Sequence, residues 1–302
     1  MPIPARCYFY WSGTAFTFLN RLAVHSLLRK TPEAVCEVHY NQEPPPDNRH
    51  WNLLRVTPRV TLRKVNFPSL WRDCGLNGAD CASASDGLME THQSDLFRYC
   101  VLFSRGGVYA DFDMIFVKEL APLLRDNFFA GFQINNEYPR LVNGAILGAA
   151  AQSPILRMAI DAAIRLLQKR KRLEWGELGP DLLTRILVKD CLQNQSLVRF
   201  AKIAGKLFPD SNVASDFLFR HVKQNHHVTL YHRNYFYYRS WRSGDWERIF
   251  DDPSVPSNTH AIHLWHKVSA GVADAIDETN YRDTIKNPVL LALCDDLAAK
   301  HS

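Results

Sequence analysis

Long hydrophobic runs are missing from this sequence. Nowhere in its 302 residues do about 18 apolar residues follow one another, so no segment reads as a membrane-spanning helix. The opening Met1-Pro2-Ile3-Pro4-Ala5-Arg6 lacks the apolar core of a secretory leader. The chain is therefore expected in the cytoplasm, at most peripheral to a membrane, unless an anchor preceded Met1. Cysteine is sparse and poorly spaced for staples. Cys7, Cys36, Cys74, Cys81, Cys100, Cys191 and Cys294 form no C-x-x-C, and an odd number cannot pair completely within one chain. Most lie beside apolar residues, as buried thiols do, which favours a reducing compartment over a bond between Cys74 and Cys81. The single sequon, Asn194-Gln195-Ser196, is within chance frequency.

Several signatures of chemistry are missing as well. No G-x-G-x-x-G follows the first strand, and there is no Walker A loop, H-E-x-x-H or G-x-S-x-G. Dinucleotide-type, P-loop, zincin and serine-hydrolase readings therefore fall away. The net charge of +5 is modest, and no arginine-rich run or repeated aromatic platform accompanies it. That balance suits a phosphate-bearing ligand or an anionic membrane surface, and nucleic acid is not expected as a partner. What is present is ordinary globular material, 46% hydrophobic and 22% charged, enough for a sizeable core.

The pattern along the chain is α/β. Cys7-Tyr8-Phe9-Tyr10-Trp11 reads as a buried strand broken by Ser12-Gly13. Phe16, Leu19, Leu22, Ala23 and Leu27 follow helical spacing, and 35–40 reads as a second strand. Strand, helix, strand implies a βαβ opening and a largely parallel sheet. The proline-rich stretch 41–48 and the Gly/Asp/Ser-rich stretch 75–87 are loops, with a strand at 60–65 between them. Ser94 is a candidate N-cap for a helix to about 104 that Gly106-Gly107 ends. The strand that follows alternates: Val108, Ala110, Phe112, Met114 and Phe116 on one face, Tyr109, Asp111 and Asp113 on the other. Further strands are expected at 128–133, 144–149 and 260–265. Ser153-Pro154 opens an amphipathic helix to about 170, another begins after Gly179-Pro180, and the chain ends in a helical tail. There is no internal repeat, low-complexity tract or domain linker.

A D-x-D triplet is near chance level in a chain of this composition, and its bland reading is a solvated strand face. Context favours more. Two carboxylates two residues apart on a strand point the same way, within reach of one hard cation such as Mn²⁺ or Mg²⁺, which bridges protein carboxylates to substrate phosphates. In an open α/β sheet ligands gather at the carboxyl ends of strands. Asp95 and Arg98 lie one helical turn apart, which suits either a surface ion pair or a pair reaching for sugar hydroxyls and phosphate.

Together, Ser94-Asp95-x-x-Arg98 followed by Gly106-Gly107-x-Tyr109-x-Asp111-x-Asp113 resembles the sugar-binding region of glycosyltransferase family 32, and more distantly the glucosylating bacterial toxins. Val142-Asn143-Gly144-Ala145, Trp175-Gly176-x-x-Gly179-Pro180-x-Leu182-Leu183-Thr184 and His263-x-Trp265-His266-Lys267 resemble blocks of its α-1,4-galactosyltransferase and α-1,4-N-acetylglucosaminyltransferase branch. That branch often carries Asn at the position of His266. The resemblance implies one GT-A catalytic domain over residues 1–302, with a Rossmann-like, mixed, mostly parallel sheet flanked by helices and added helices in the C-terminal half. It implies anomer-retaining transfer from a nucleotide sugar, usually UDP-linked, assisted by Mn²⁺ or Mg²⁺, to a glycan, glycolipid or protein hydroxyl. Carried over by position, Asp111 and Asp113 engage the metal and the sugar diphosphate, and His263 is a late metal ligand. Asp95 and Arg98 hold the donor sugar, Tyr109 packs near it, Trp11 stacks on the base, and Asn143 lines the sugar or acceptor site.

Core packing and ligand binding compete for the aromatic cluster Tyr231, Tyr235, Phe236, Tyr237, Tyr238, Trp241 and Trp246, which would suit an acceptor sugar. The basic stretch 169–172 is a helix end that would suit an anionic membrane. Retention admits front-face attack or a covalent intermediate, and no nucleophile stands out. Two rival functions remain: a non-catalytic nucleotide-sugar or carbohydrate-binding protein on the same scaffold, and a metal-dependent phosphohydrolase. The second lacks the carboxylate and histidine clusters that two metals need.

Overall fold

A computed structural model describes residues 2–76, 89–133, 140–169, 172–190 and 228–300, with Arg199, Ile203 and Leu207. Cys81, Cys191, the sequon at Asn194, most of the 75–87 loop, and Arg170 and Lys171 of the basic stretch lie outside the described residues. In chain order the elements are β1 (Arg6–Trp11), α1 (Phe18–Lys30), β2 (Val35–Tyr40), α2 (Arg49–Arg55), β3 (Val60–Lys64), α3 (Phe67–Asp73), α4 (Glu90–Arg105) and β4 (Gly107–Ala110). They continue with β5 (Met114–Phe116), β6 (Phe128–Phe132), β7 (Val142–Ala149), α5 (Pro154–Lys169), α6 (Pro180–Thr184) and β8 (Val228–Tyr231). The last third adds α7 (Arg248–Asp251), β9 (Ala261–His263), α8 (His266–Ala273), α9 (Tyr281–Thr284) and α10 (Pro288–Ala299).

The chain forms two compact units, each built from separate stretches. The first takes Met1–Pro4, Val65–Tyr109 and Leu123–His232; the second takes Ala5–Lys64, Ala110–Pro122 and Arg233–Ser302. In the second unit β1, β2 and β3 are parallel in the order β3-β2-β1, with Cys7 opposite Cys36 and Tyr10 opposite His39. The expected βαβ opening is thus present. Its helix α1 starts in a capping box: Thr17 accepts from the Asn20 N–H, and the Asn20 side chain takes the Thr17 N–H at 2.9 Å. A separate antiparallel pair joins β5 to β9, setting Met114 opposite His263.

In the first unit the order is β4-β7-β6-β8, with β6 antiparallel to β7 and parallel to β8. Helix α5 lies on α4, where the Arg157 guanidinium covers the Phe103 ring at 5.3 Å and donates to the Cys74 carbonyl at 2.7 Å. The expected architecture, a mixed and mostly parallel sheet flanked by helices with extra helices late in the chain, is the one observed. Cys7, Cys36, Cys74, Cys100 and Cys294 are buried, and burial pushes the Cys7 and Cys294 thiols up to about 12. Among the described residues, no helix is long and apolar enough to cross a membrane.

Two expectations need correction. Helix α4 begins at Glu90 with Met89 at its N-cap, so Ser94 lies inside the helix. The strand read through 108–116 is broken: β4 ends at Ala110, and Asp111-Phe112-Asp113 is a turn before β5. The apolar alternation survives the break because Phe112 is itself turned into the core.

One buried hydroxyl joins the helix and strand layers of the second unit. Ser26 of α1, fully buried, accepts the Phe116 N–H at 2.9 Å and donates to the Ala23 carbonyl at 2.8 Å. Ser26→Ala strands that N–H, so unfolding free energy in urea should fall by about 1–3 kcal/mol. A change within experimental error would show that the strand does not depend on the hydroxyl.

Candidate metal centre and the Asp95–Arg98 cluster

The turn after β4 is fixed by its middle residue. Phe112 packs against Phe9, Trp11 and Phe16 at ring-centroid distances of 5.0, 5.5 and 5.2 Å. The Met114 N–H returns to the Asp111 carbonyl at 3.1 Å and closes the turn. With Phe112 anchored, β9 delivers His263 beside Asp111 and Asp113, which are both partly buried. One ligand atom from each of Asp111, Asp113 and His263 lies within 4.8 Å of the others. Same-face strand geometry, the original ground for pairing the aspartates, is therefore replaced by a turn that converges them.

Asp113 is held from the far end of the chain. Its Oδ2 lies 3.2 Å from His263 Nε2 and accepts the His266 N–H at 2.9 Å, while its carbonyl takes the Leu264 N–H at 2.8 Å. Trp265 makes this possible by adopting the left-handed conformation, φ 56° and ψ 50°, which aims the first N–H of α8 at the carboxylate. Left-handed backbone is uncommon for a bulky residue; here the indole is pinned by a 2.8 Å hydrogen bond to the Arg239 carbonyl and by the His263 ring at 4.1 Å. Burial pushes the Asp113 carboxyl up, but the charge and hydrogen bond of His263, with the His266 N–H and charge, outweigh it and hold it at about 2. The stability this supplies is complete above the ordinary Asp value and fades only as pH falls towards 2.

The position of His266 serves Asp113 through its backbone, while its ring turns to Asp274 at 2.7 Å. Since any residue except proline supplies that N–H, Asn would do equally well there. His263 is buried, and its Nδ1 has no hydrogen-bond partner among the described residues. Two hard carboxylates and an imidazole with an unsatisfied nitrogen form a donor set that suits Mn²⁺.

In the first unit, Asp95 and Arg98 are not a surface pair. Both side chains are only 7% exposed, and they stand 3.3 Å apart. Arg98 donates to the Ser94 hydroxyl at 2.9 Å and the Ser94 carbonyl at 3.3 Å, and lies over the Tyr109 ring at 4.6 Å. Tyr109 closes the set through a 2.7 Å hydrogen bond between its hydroxyl and Ser94. Tyr109 is fully buried and lies against Arg98. Ser94, read as a cap, lies inside α4 with its hydroxyl against Arg98 and Tyr109.

The two glycine blocks explain themselves at this pair. A Cβ on Gly144 would lie 2.5 Å from Arg98 Nη1, and one on Gly179 would lie 2.7 Å from Asp95 Oδ1. Asn143 sits within β7 rather than in a turn. Its side chain takes the Ala145 N–H at 2.8 Å and donates to Gln133 at 2.7 Å. The loop bearing Gly179 is fastened by Tyr99, whose hydroxyl donates to the Leu178 carbonyl at 2.7 Å, and by Arg140, which pairs with Asp181 at 2.9 Å. Gln133, Arg140 and Asp181 gave no sequence signal of their own.

Trp11 is partly exposed in the second unit, edge-on to Phe16 and Phe112, with its indole N–H on the Gly13 carbonyl at 2.9 Å. Of the late aromatic cluster, Phe236, Tyr237 and Tyr238 are core residues, whereas Trp241 is exposed.

Residues 80–130, which contain both the α4 pair and the Asp111–Asp113 turn, match the model of the glycosyltransferase sugar-binding region containing a DXD motif. The chain is a glycosyltransferase. This transferase is 26% identical over 287 residues to lactosylceramide 4-alpha-galactosyltransferase of Homo sapiens, covering 89% of this chain and 71% of that one. It is 24% identical over 209 residues to alpha-1,4-N-acetylglucosaminyltransferase of Homo sapiens, covering 65% and 52% respectively. Among solved structures, PaToxG glycosyltransferase superposes with a TM-score of 0.49 at 18% identity, over 71% of the transferase and 79% of that chain.

Proposed function

We propose that this glycosyltransferase is metal-dependent and moves a hexose or N-acetylhexosamine from a UDP-linked donor, with retention, to a hydroxyl of a glycan, glycolipid or protein, the whole chain acting as one catalytic domain. The convergence of Asp111, Asp113 and His263 carries the reading, because such a donor set is what a diphosphate-bound Mn²⁺ or Mg²⁺ requires. A cation held there supplies Lewis acidity and a template for the departing diphosphate. Asp113 is ionised across the physiological range, so the ligand needs no deprotonation before use. His263 keeps its ring fixed between Trp265 and the edge of Tyr237, at 4.1 and 5.5 Å.

The resemblance gives the other roles. Arg98 and Asp95 hold the donor sugar, and their rigidity follows from Ser94, Tyr109, Gly144 and Gly179. Trp11 stacks on the base, and Asn143 lines the sugar. Both named relatives are sugar transferases, and lactosylceramide in the name of one supports a glycolipid or glycan acceptor.

The test is a panel of UDP- and GDP-sugars read as nucleotide release. UDP-galactose or UDP-N-acetylglucosamine should be used with Mn²⁺, and EDTA should stop release by at least an order of magnitude, with added Mn²⁺ restoring it. Release that ignores EDTA would remove the metal from the reaction.

A further inference from the structure

We infer, on the metal reading proposed above, that Arg239 is a positioning residue for that centre. Its guanidinium, braced by Asp245 and Asp252, fixes the carbonyl that holds Trp265, and through Trp265 it keeps the His266 N–H on Asp113.

The stretch 234–239 runs beside the strand that carries His263. Its Asn234 carbonyl accepts from the Thr259 hydroxyl at 2.7 Å, its Tyr235 carbonyl from the His260 N–H at 2.8 Å, and its Phe236 carbonyl from the His263 N–H at 3.2 Å. The last contact differs in kind, because the Arg239 carbonyl takes a side chain, the Trp265 indole N–H, at 2.8 Å. Between these ends Tyr237 sets its ring against both His263 and Trp265, at 5.5 and 5.9 Å. Trp265 is the member of the series that needs holding. Left-handed backbone is unfavourable for a bulky residue and persists only where its surroundings fix it. Were the Arg239 carbonyl to drift, the indole would lose its partner, residue 265 would relax, and the first N–H of α8 would swing off Asp113.

The side chain of the same residue keeps that carbonyl in place. Arg239 donates from Nη1 to Asp245 at 3.2 Å and from Nη2 to Asp252, and its guanidinium lies 5.6 Å from the centroid of the Tyr238 ring. Both carboxylates are tied down in turn. Asp245 accepts the Ser240 N–H at 2.6 Å and the Ser240 hydroxyl at 2.7 Å, and Asp252 accepts the Ser254 N–H at 2.8 Å. One planar fork therefore closes the chain between residues 239 and 252, which a single amide or ammonium cannot do. Arg248 reaches the same Asp252 at 3.4 Å from an exposed position on α7, which makes it the natural control.

The test is a double-mutant cycle on the full chain, read as Mn²⁺ affinity by calorimetric titration and as deuterium exchange at the His266 amide without metal. Arg239→Gln and Trp265→Phe should each weaken Mn²⁺ binding about tenfold, as losing a partner that orients a ligand does, and each should speed exchange at His266. Combined, they should cost little more than either alone, since both cut one path. Arg248→Gln should leave affinity and exchange at their wild-type values. A brace that only stabilises the fold would lower the melting temperature of Arg239→Gln and leave both readouts unmoved, which overturns the inference. Additive losses overturn it too. If Arg239→Gln fails to fold, Trp265→Phe decides alone, because it keeps a ring and loses only the indole N–H; wild-type behaviour there is fatal. Wild-type protein that takes up no Mn²⁺ overturns the metal reading and the inference with it, whereas Mn²⁺ uptake with unchanged exchange at His266 in both variants overturns the role of Arg239 alone.

Discussion

Asp113→Asn removes transfer while the fold stands. The expected fall in kcat/KM is on the order of 10³-fold, about 4 kcal/mol of transition-state stabilisation. The reason lies in how unequally the substitution treats the carboxylate's two duties. An amide oxygen still accepts the His266 N–H now at 2.9 Å, and the backbone bond from Leu264 at 2.8 Å is untouched. The charge does not survive. Asp113 is the group whose ionisation His263 and the start of α8 stabilise, and a neutral amide offers a divalent cation far less. Calorimetric titration with Mn²⁺, nucleotide release and a melting curve together separate these effects. The melting temperature should move by a few degrees at most, since the expected loss is of order 1 kcal/mol. Wild-type activity in this variant would sink the metal assignment.

Gly179→Ala should cost on the order of 10²-fold in kcat/KM for the donor, because misplacing a binding group by about 1 Å is enough for that. Neither partner can retreat. The Asp95 carboxylate would meet the new methyl at 2.7 Å, and it is a buried group beside Arg98 at 3.3 Å. The loop on the other side is fastened through Tyr99 and Arg140. Gly144→Ala should behave alike from the opposite direction, because the added Cβ would lie 2.5 Å from Arg98 Nη1 and push the guanidinium off the Tyr109 ring. Donor KM and kcat measured for each variant, alone and combined, give the check. Two changes that disturb one ion pair should be markedly non-additive, and simple additivity would show that the glycines act elsewhere.

Much of this was legible in the residues. The β1–α1–β2 opening followed from aromatic and helical spacing, α5 from Ser153-Pro154, and β9 from the short run around Ile262. The two candidate clusters were also legible by type, since Asp111 and Asp113 are hard oxygen donors and His263 an imidazole ligand in one, and Asp95 and Arg98 a matched pair in the other. What failed was local geometry. Ser94 looked like a cap because capping residues are recognised by chemistry alone, yet its hydroxyl is occupied by Tyr109 and Arg98. The continuous strand was inferred from alternation, which a tight turn preserves when its middle residue is apolar and buried, as Phe112 is. The glycines at 144 and 179 answer to side chains far away in sequence, and a left-handed Trp265 has no composition signal at all.

The Asp113–His266 hydrogen bond spans 153 positions of chain, and that separation sets a schedule for biosynthesis. A ribosome that has released the whole matched region, residues 80–130, has made both aspartates but none of the groups that hold Asp113. Until His263 and His266 leave the exit tunnel, Asp113 lacks both of the groups that hold its carboxylate. On the metal reading proposed above, a cation would have no complete donor set before His263 is made, and a product truncated before residue 261 should show no Mn²⁺ binding by calorimetric titration.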